Sequence, residues 1–210
     1  MLSTATEGSL EVATEFTFEF QKAKAALLYL TEKQVPHLTK GKICKLMFLA
    51  DKHHVVRHGR PIIGARYCAL EHGPVPSQLL DLLSEIESGK TTSPEAKELS
   101  SALSLDRRYT YPHVGGIEKP DLAQLSESDV EALDEVVREY GRRTFTELRG
   151  LTHEMPAYKL AWESKTVGSS VATMRYEAFF EEEEEALAGV KEEMIENAKL
   201  RALFPEPTWL

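Results

Sequence analysis

The sequence has little cysteine and no long apolar run, and each shortage narrows what the chain can be. Cys44 and Cys68 are its two cysteines. They show no C-x-x-C or Cys/His ligand spacing, so neither a disulfide framework nor a structural zinc site is expected. Both sit among apolar neighbours, as buried free thiols in a reducing cytoplasm do. No segment approaches the ~18 apolar residues of a membrane-spanning helix. The N-terminal stretch MLSTATEGSLEVATEF lacks a basic residue and is not expected to serve as a signal peptide. Glycine-rich phosphate loops of the GxGxxG and GxxxxGK types are missing as well. Positive charge is short: 25 Lys plus Arg against 34 Asp plus Glu leave a net −9. That balance argues against a general nucleic-acid binder, which must neutralise phosphates.

What is present is an ordinary globular composition, 42% hydrophobic and 28% charged over 210 residues. The charge is uneven. Residues 174–210 hold ten acids and four bases, net −6, which leaves −3 for residues 1–173. Residues 40–66 hold seven Lys or Arg and one acid, net +6. Such a basic stretch can dock an acidic partner, bind nucleic acid, or dock the acidic C-terminal segment of its own chain.

Hydrophobic periodicity predicts a mainly α fold of the α+β type: a compact set of helices around a central apolar helix, a small antiparallel β-ribbon, and a long C-terminal helix. Residues 1–16 read as a loose arm. A first helix is expected over Thr17–Lys33 and ends before Pro36. The second, capped by Thr39 and stopped by Gly59, is apolar nearly all round and so central. Arg66–Leu70 and Arg107–Tyr111 are strand candidates expected to pair with each other, while Pro74 and Pro76 are expected to stop pairing after Gly73. Helices follow from Ser77 to Glu87, over about 94–104 behind Ser93-Pro94, and from Ser126 with Asp129 in the capping-box slot. Two short pieces, Phe145–Leu151 and Met155–Trp162, precede a loop, VGSSVAT. A last helix is expected over Met174–Leu203, with Tyr176, Phe179, Phe180, Leu187, Val190 and Met194 in one stripe. The tail ends on Phe204, Trp209 and Leu210.

The chemistry-bearing residues admit bland and sharp readings. Asp51, His53, His54 and His58 cluster on the second helix, and His54 and His58 stand at i,i+4, a spacing that lets two imidazoles share a metal. The alternative is a core or capping histidine, with His58 suited to the negative helix end. A buried Asp51 needs partners, for which Arg60, Arg66 or a histidine are candidates. Glu71-His72-Gly73-Pro74-Val75-Pro76 reads as a rigid corner between strand and helix. No catalytic constellation emerges, and neither a cofactor nor a metal is expected.

These motifs carry a resemblance. Lys45, Leu46, Phe48 and Ala50, then Gly59, Pro61 and Ile62, then Tyr67 and Ala69, then Gly73, Pro74 and Val75, then Leu79, Leu82 and Leu83 are similar to the signature of the Panacea domain, the SocA-like antitoxin family. LSESDVEALDEVVREYG resembles that family's second characteristic helix. Its L-[ST]-x-x-T-H signature with a following aromatic is matched by Leu148, Thr152, His153 and Trp162, or Tyr158, with Arg149 in place of the Ser or Thr. The resemblance spans about residues 20–165. It places the domain at 17–165 and an acidic helix and tail at 174–210.

The resemblance implies an antitoxin of a toxin–antitoxin system that neutralises a cognate toxin, encoded by a neighbouring gene, through direct protein binding. It also implies a proteolytic adaptor role for some members, handing the toxin to a ClpXP-type ATP-dependent protease, and no enzymatic activity. The motif residues Lys45, Phe48, Gly59, Pro61, Tyr67, His72, Gly73, Pro74, Val75, Thr152, His153 and Trp162 are then scaffold or partner-binding. Tyr176, Phe179, Phe180, Phe204, Trp209 and Leu210 are the expected toxin contacts. Deleting 174–210 is expected to weaken neutralisation and leave a folded core. The alternatives are a metal-dependent enzyme built on Asp51, His53, His54 and His58, or a DNA-binding autoregulator. A cytoplasmic location follows, no membrane partner is expected, and a homodimer stays open.

Overall fold

The computed structural model describes residues 14–181 and 188–203. Within them the fold is mainly α, with small antiparallel sheets. Helix α1 (Phe20–Glu32) starts later than the periodicity suggests, because Glu19 donates its backbone N–H to the Ile63 carbonyl and keeps the entering chain extended. Helix α2 (Lys40–His58) has the expected ends. Thr39 accepts from the Lys42 amide at its start, and Gly59 closes it at φ +65. Fourteen of its 19 residues are buried, so it is the centre of the core and not a surface helix.

After a buried turn from Pro61 to Ala65, strand β1 (Tyr67–Leu70) pairs antiparallel with β2 (Gly73–Pro76) in the register Tyr67↔Pro76 to Leu70↔Gly73. The prolines do not stop pairing. Ser77 donates its N–H to Arg66, so with alternate donors facing β1 the next are Val75 and Gly73. Pro74 and Pro76 thus fall where the missing N–H would point away, at the sheet edge where proline is tolerated.

Helices α3 (Ser77–Ser88) and α4 (Pro94–Ala102) follow, the latter capped by Ser93. The second ribbon is β3 (Leu103–Asp106) with β4 (His113–Gly116). It does not pair with β1, and residues 107–111 are not a strand. Asp106 ends β3 by accepting from the Arg108 amide two residues on, which turns the chain. Helix α5 (Glu127–Tyr140) has the predicted Ser126/Asp129 capping box. Helices α6 (Phe145–Glu154) and α7 (Pro156–Glu163) complete the layer over α2 and the first sheet.

The segment after α7 departs most from expectation. Val171–Thr173 forms β5, the third strand of the first sheet, on the free side of β1. Met174 continues the pairing through its N–H to the Tyr67 carbonyl, so no helix can begin there. Tyr176–Phe180 is a 3-10 turn, in which i and i+3 share a side. It drives Tyr176 and Phe179 into the core, where Phe179 meets Phe48 edge-on at 5.4 Å and Tyr67 at 5.7 Å. Tyr176, Phe179 and Phe180 are all buried, so these three expected toxin contacts are packing residues. The last helix, α8, spans Ala188–Leu203 and rests Met194 and Val190 against the Gly59 end of α2. Leu187, Phe204, Trp209 and Leu210 lie outside the described residues.

Candidate functional site

The motif residues converge where α2, the β1–β2 turn, α6 and α7 meet. Lys45 is 1% exposed, yet its Nζ reaches one backbone acceptor, the Pro74 carbonyl, at 2.7 Å. Burial brings its amine down to about 7, and the Arg149 charge adds to the shift. Gly73 sits beside it at φ +94. A Cβ there would lie 2.8 Å from Lys45 Nζ and 2.9 Å from His153 Cδ2, so glycine is what lets the amine and the imidazole flank the same backbone atom.

His153 lies flat on the Tyr158 ring at 4.5 Å, and Trp162 continues the stack at 5.9 Å. Lys165 covers the Trp162 face at 3.9 Å. Tyr158 is pinned by its hydroxyl, which donates to the Leu70 carbonyl at 2.9 Å. Of the two aromatics the sequence allowed after the histidine, Tyr158 is the one in direct contact with it. Burial, with Arg149 and Lys45 nearby, lowers His153 below the usual imidazole range; the His72 backbone offsets part of this. His153 Nε2 is buried and completes no hydrogen bond. Thr152, one residue before, is buried and returns its hydroxyl to the Leu148 carbonyl at 2.9 Å. Val75 packs with Cys44 and Cys68, both free thiols. Burial pushes the Cys44 thiol up to about 12.

A second motif group secures the GRPII turn. Asp51 is fully buried. Its Oδ1 accepts the amides of Ile62 and Ile63 at 2.8 and 3.2 Å, and its Oδ2 accepts the Tyr67 hydroxyl at 2.9 Å. Its partners are therefore backbone amides and a phenol, and not Arg60, Arg66 or a histidine. Burial outweighs these bonds and pushes the carboxyl up to about 7. Phe48 stands edge-on to Tyr67 at 5.5 Å, and Pro61 is buried in the same turn.

Of the tempting histidines, His53 and His54 have polar partners within the fold, whereas His58 is exposed with its ring 4.5 Å from that of His54. His54 is buried with Nδ1 2.7 Å from the Arg60 carbonyl and Nε2 3.0 Å from Ser128 Oγ, and burial brings it down to about 4. Among the described residues no three His, Cys, Asp or Glu side chains come together in a metal-binding arrangement. His53 and Arg57 approach the Glu135 carboxylate at 2.7 and 2.9 Å. These three, with Glu139, border a groove between α2 and α5 whose walls include Leu49, Val56, Val136 and Met155.

The basic stretch 40–66 is answered from α3, α5 and the backbone. Lys40 pairs with Glu87, Arg60 with Asp129, and Lys42 donates to the Pro36 and Gly141 carbonyls. Asp129, which the sequence marks as a cap, also receives Lys22 at 3.3 Å and lies 3.2 Å from His54. Sequence reading missed this hub because its partners come from three separate elements. It equally missed the Lys45–Gly73–His153 convergence, which joins residues 28 and 80 positions apart.

The structure is thus a mainly helical domain with a small sheet, its motif residues packed into corners and stacks. The family model for the antitoxin SocA-like Panacea domain matches residues 43–159, more than half of the chain. The chain belongs to that family and carries an antitoxin domain. No curated protein matches it, and neither does any solved structure. No helix among the described residues is long and apolar enough to cross a membrane.

Proposed function

We propose that this chain is the antitoxin of a toxin–antitoxin pair and neutralises its toxin, the product of a neighbouring gene, by direct protein binding without catalysis of its own. The observation that supports this reading is the family match over residues 43–159, the stretch that supplies most of α2, all of β2 and α6, and the start of α7. The inward motif residues Lys45, Tyr67 and Thr152 have structural partners, as has Asp51 beside them. The outward ones, His72, Arg149, His153 and Trp162, share one face and are exposed or half-exposed. That face is the proposed toxin contact, in place of the buried aromatic residues 176–180. The proposed location is the cytoplasm, where the buried Cys44 and Cys68 stay reduced.

Co-expression with the adjacent reading frame tests the reading. The frame is expected to arrest growth alone and to be harmless with this chain present, and the two products are expected to co-purify. A frame that is harmless alone, or that arrests growth equally in both cases, refutes it. Toxin levels followed with and without a ClpXP-type protease separate blocking from delivery. Delivery predicts toxin loss that needs both this chain and the protease.

A further inference from the structure

Among the described residues two Phe, Tyr or Trp side chains are exposed, and both lie on the loop that joins β3 to β4. Tyr109 is 48% and Tyr111 74% exposed. Tyrosine is enriched at binding hot spots. The loop itself is fixed from several directions. Arg107 donates to the Glu87 and Ile86 carbonyls at 2.8 and 3.3 Å, which ties the loop to the end of α3. The Arg108 amide and guanidinium both close on Asp106. Tyr109 stacks on His113 at 3.9 Å, and His37 meets His113 edge-on at 5.1 Å. His37 holds a left-handed backbone, φ +51, which a residue other than glycine keeps where its surroundings impose it. Pro112 restricts Tyr111, the residue before it, to extended backbone. Tyr111 supports nothing in return: among the described residues its ring and hydroxyl meet no partner. The unanswered charge around the loop is positive. Of the carboxylates there, Asp106 is taken by Arg108, Glu87 by Lys40, and Glu85 by the amides and hydroxyls of Thr92 and Ser93. Arg107 has backbone carbonyls and no carboxylate, and Lys90, just past the same end of α3, is exposed with no ion pair among the described residues.

We propose that the loop 107–112 is a docking anchor for the toxin: Tyr111 and Tyr109 enter an apolar cleft of that protein, and Arg107 and Lys90 face acidic groups at the rim of the cleft. Tyrosine buries a large area on few rotatable bonds, and this loop is already set in one shape, so little ordering cost remains for the complex. The ring supplies apolar area, and the free hydroxyl can bond a polar group of the cleft. The local positive charge steers an acidic partner to this spot on a chain whose net charge of −9 would otherwise repel it. Nucleic acid is the disfavoured occupant, because Arg108 is closed on Asp106 and the chain as a whole is acidic. The loop lies on other elements than the motif face and adds a second contact to it. The inference rests on the neutralisation reading for the identity of the partner.

The test uses the full chain. The product of the adjacent reading frame, recovered from its co-purified complex with this chain and refolded, is immobilised, and binding is followed by biolayer interferometry. Tyr111→Ala is expected to raise Kd about tenfold or more, mostly through faster dissociation, at an unchanged Tm. Tyr111→Phe is expected to keep most of the affinity. Leu122→Ala, which removes another exposed apolar group from a different surface, is expected to bind as wild type does. Lys90→Glu is expected to slow association about threefold at low salt. Wild-type affinity in Tyr111→Ala overturns the proposal, and so does an equal loss in Leu122→Ala. Association of Lys90→Glu at or above the wild-type rate overturns the acidic rim. Single-stranded DNA and RNA oligonucleotides are the second probes, and saturable binding that Tyr111→Ala abolishes would assign the loop to base stacking and overturn the proposal as well. A product that neither co-purifies with nor binds the wild-type chain defeats the antitoxin reading and the anchor with it. A product that binds wild type and Tyr111→Ala alike defeats the anchor alone.

Discussion

Asp51 gives the sharpest test of how the core is held. Replacing it with Ala leaves the amides of Ile62 and Ile63 without an acceptor, since both bond to Oδ1, whereas Tyr67 keeps the Met47 carbonyl at 3.2 Å. Each orphaned buried amide costs ~1–3 kcal/mol, so Asp51→Ala should lose ~2–6 kcal/mol. Asp51→Asn is the informative contrast. Its carbonyl oxygen still accepts both amides, and its NH2 donates to the Tyr67 oxygen, so the bonding pattern survives without the charge. The sign of the pH dependence follows from the raised carboxyl. In the unfolded chain Asp51 ionises near the ordinary 3.8, while in the fold it holds its proton to about 7. Between those values the folded state binds more protons, so wild-type stability falls as pH rises and levels off above 7. A displacement of this size corresponds to ~4 kcal/mol. The gap between Asp51→Asn and wild type should therefore grow by up to that amount from pH 4 to pH 8, always in favour of Asn. Urea unfolding followed by circular dichroism across this range measures it. A gap independent of pH would refute the claim that a desolvated carboxyl sits under the GRPII turn.

Three further outcomes are expected. Gly73→Ala should destabilise by ~1–3 kcal/mol from its backbone conformation alone, and by more if Lys45 Nζ and His153 cannot yield to the new methyl; thermal unfolding that matches wild type would contradict the packing described around that glycine. Cys44 should resist a thiol reagent such as DTNB in the native protein and react on unfolding, because burial holds it as a thiol up to about pH 12; rapid native labelling at this residue would show the α2–β2 contact to be open. A chain ending at Thr173 should fail to fold, whereas one ending at Glu181 should fold with a lower Tm. The difference is the three buried aromatics Tyr176, Phe179 and Phe180, each worth ~3–5 kcal/mol when truncated, against a total stability of ~5–15 kcal/mol; equal circular dichroism spectra for the two chains would sink this.

The parts of the fold that local chemistry decides were legible in the sequence. The ends of α2 follow from Thr39 and Gly59, the start of α4 from Ser93-Pro94, and that of α5 from the Ser126/Asp129 box. Non-local pairing was not legible. Proline reads as a strand breaker until it is known which edge faces the partner, and in GPVP both prolines face away from it. VGSSVAT reads as a loop because a three-residue strand draws its stability from β1, far back in the chain. The stripe Tyr176, Phe179, Phe180 fits a helix and a 3-10 turn equally well over one turn, and the bond from Met174 to Tyr67 decides between them. The motif residues of the site were found, but their meeting around Gly73 is a tertiary fact.

The fate of the basic stretch bears on where partner choice resides. A net +6 over residues 40–66 invites an acidic partner. In the fold Lys40, Arg57 and Arg60 have carboxylates from Glu87, Glu135 and Asp129, and Lys42 and Lys45 have backbone carbonyls. The solvent-facing pairs Lys40–Glu87 and Arg57–Glu135 contribute ~0–1 kcal/mol each, so they do little to hold the domain, but they lower the attraction of that surface for a distant anion. The charge of residues 40–66 is thus largely answered inside the scaffold, and long-range steering falls to charges without such partners. On the motif face that charge is Arg149, beside a half-exposed His153 and Trp162. On the proposed reading, partner choice falls to the outward positions of that face, since the inward residues Lys45, Tyr67 and Thr152 are already committed to partners within the fold.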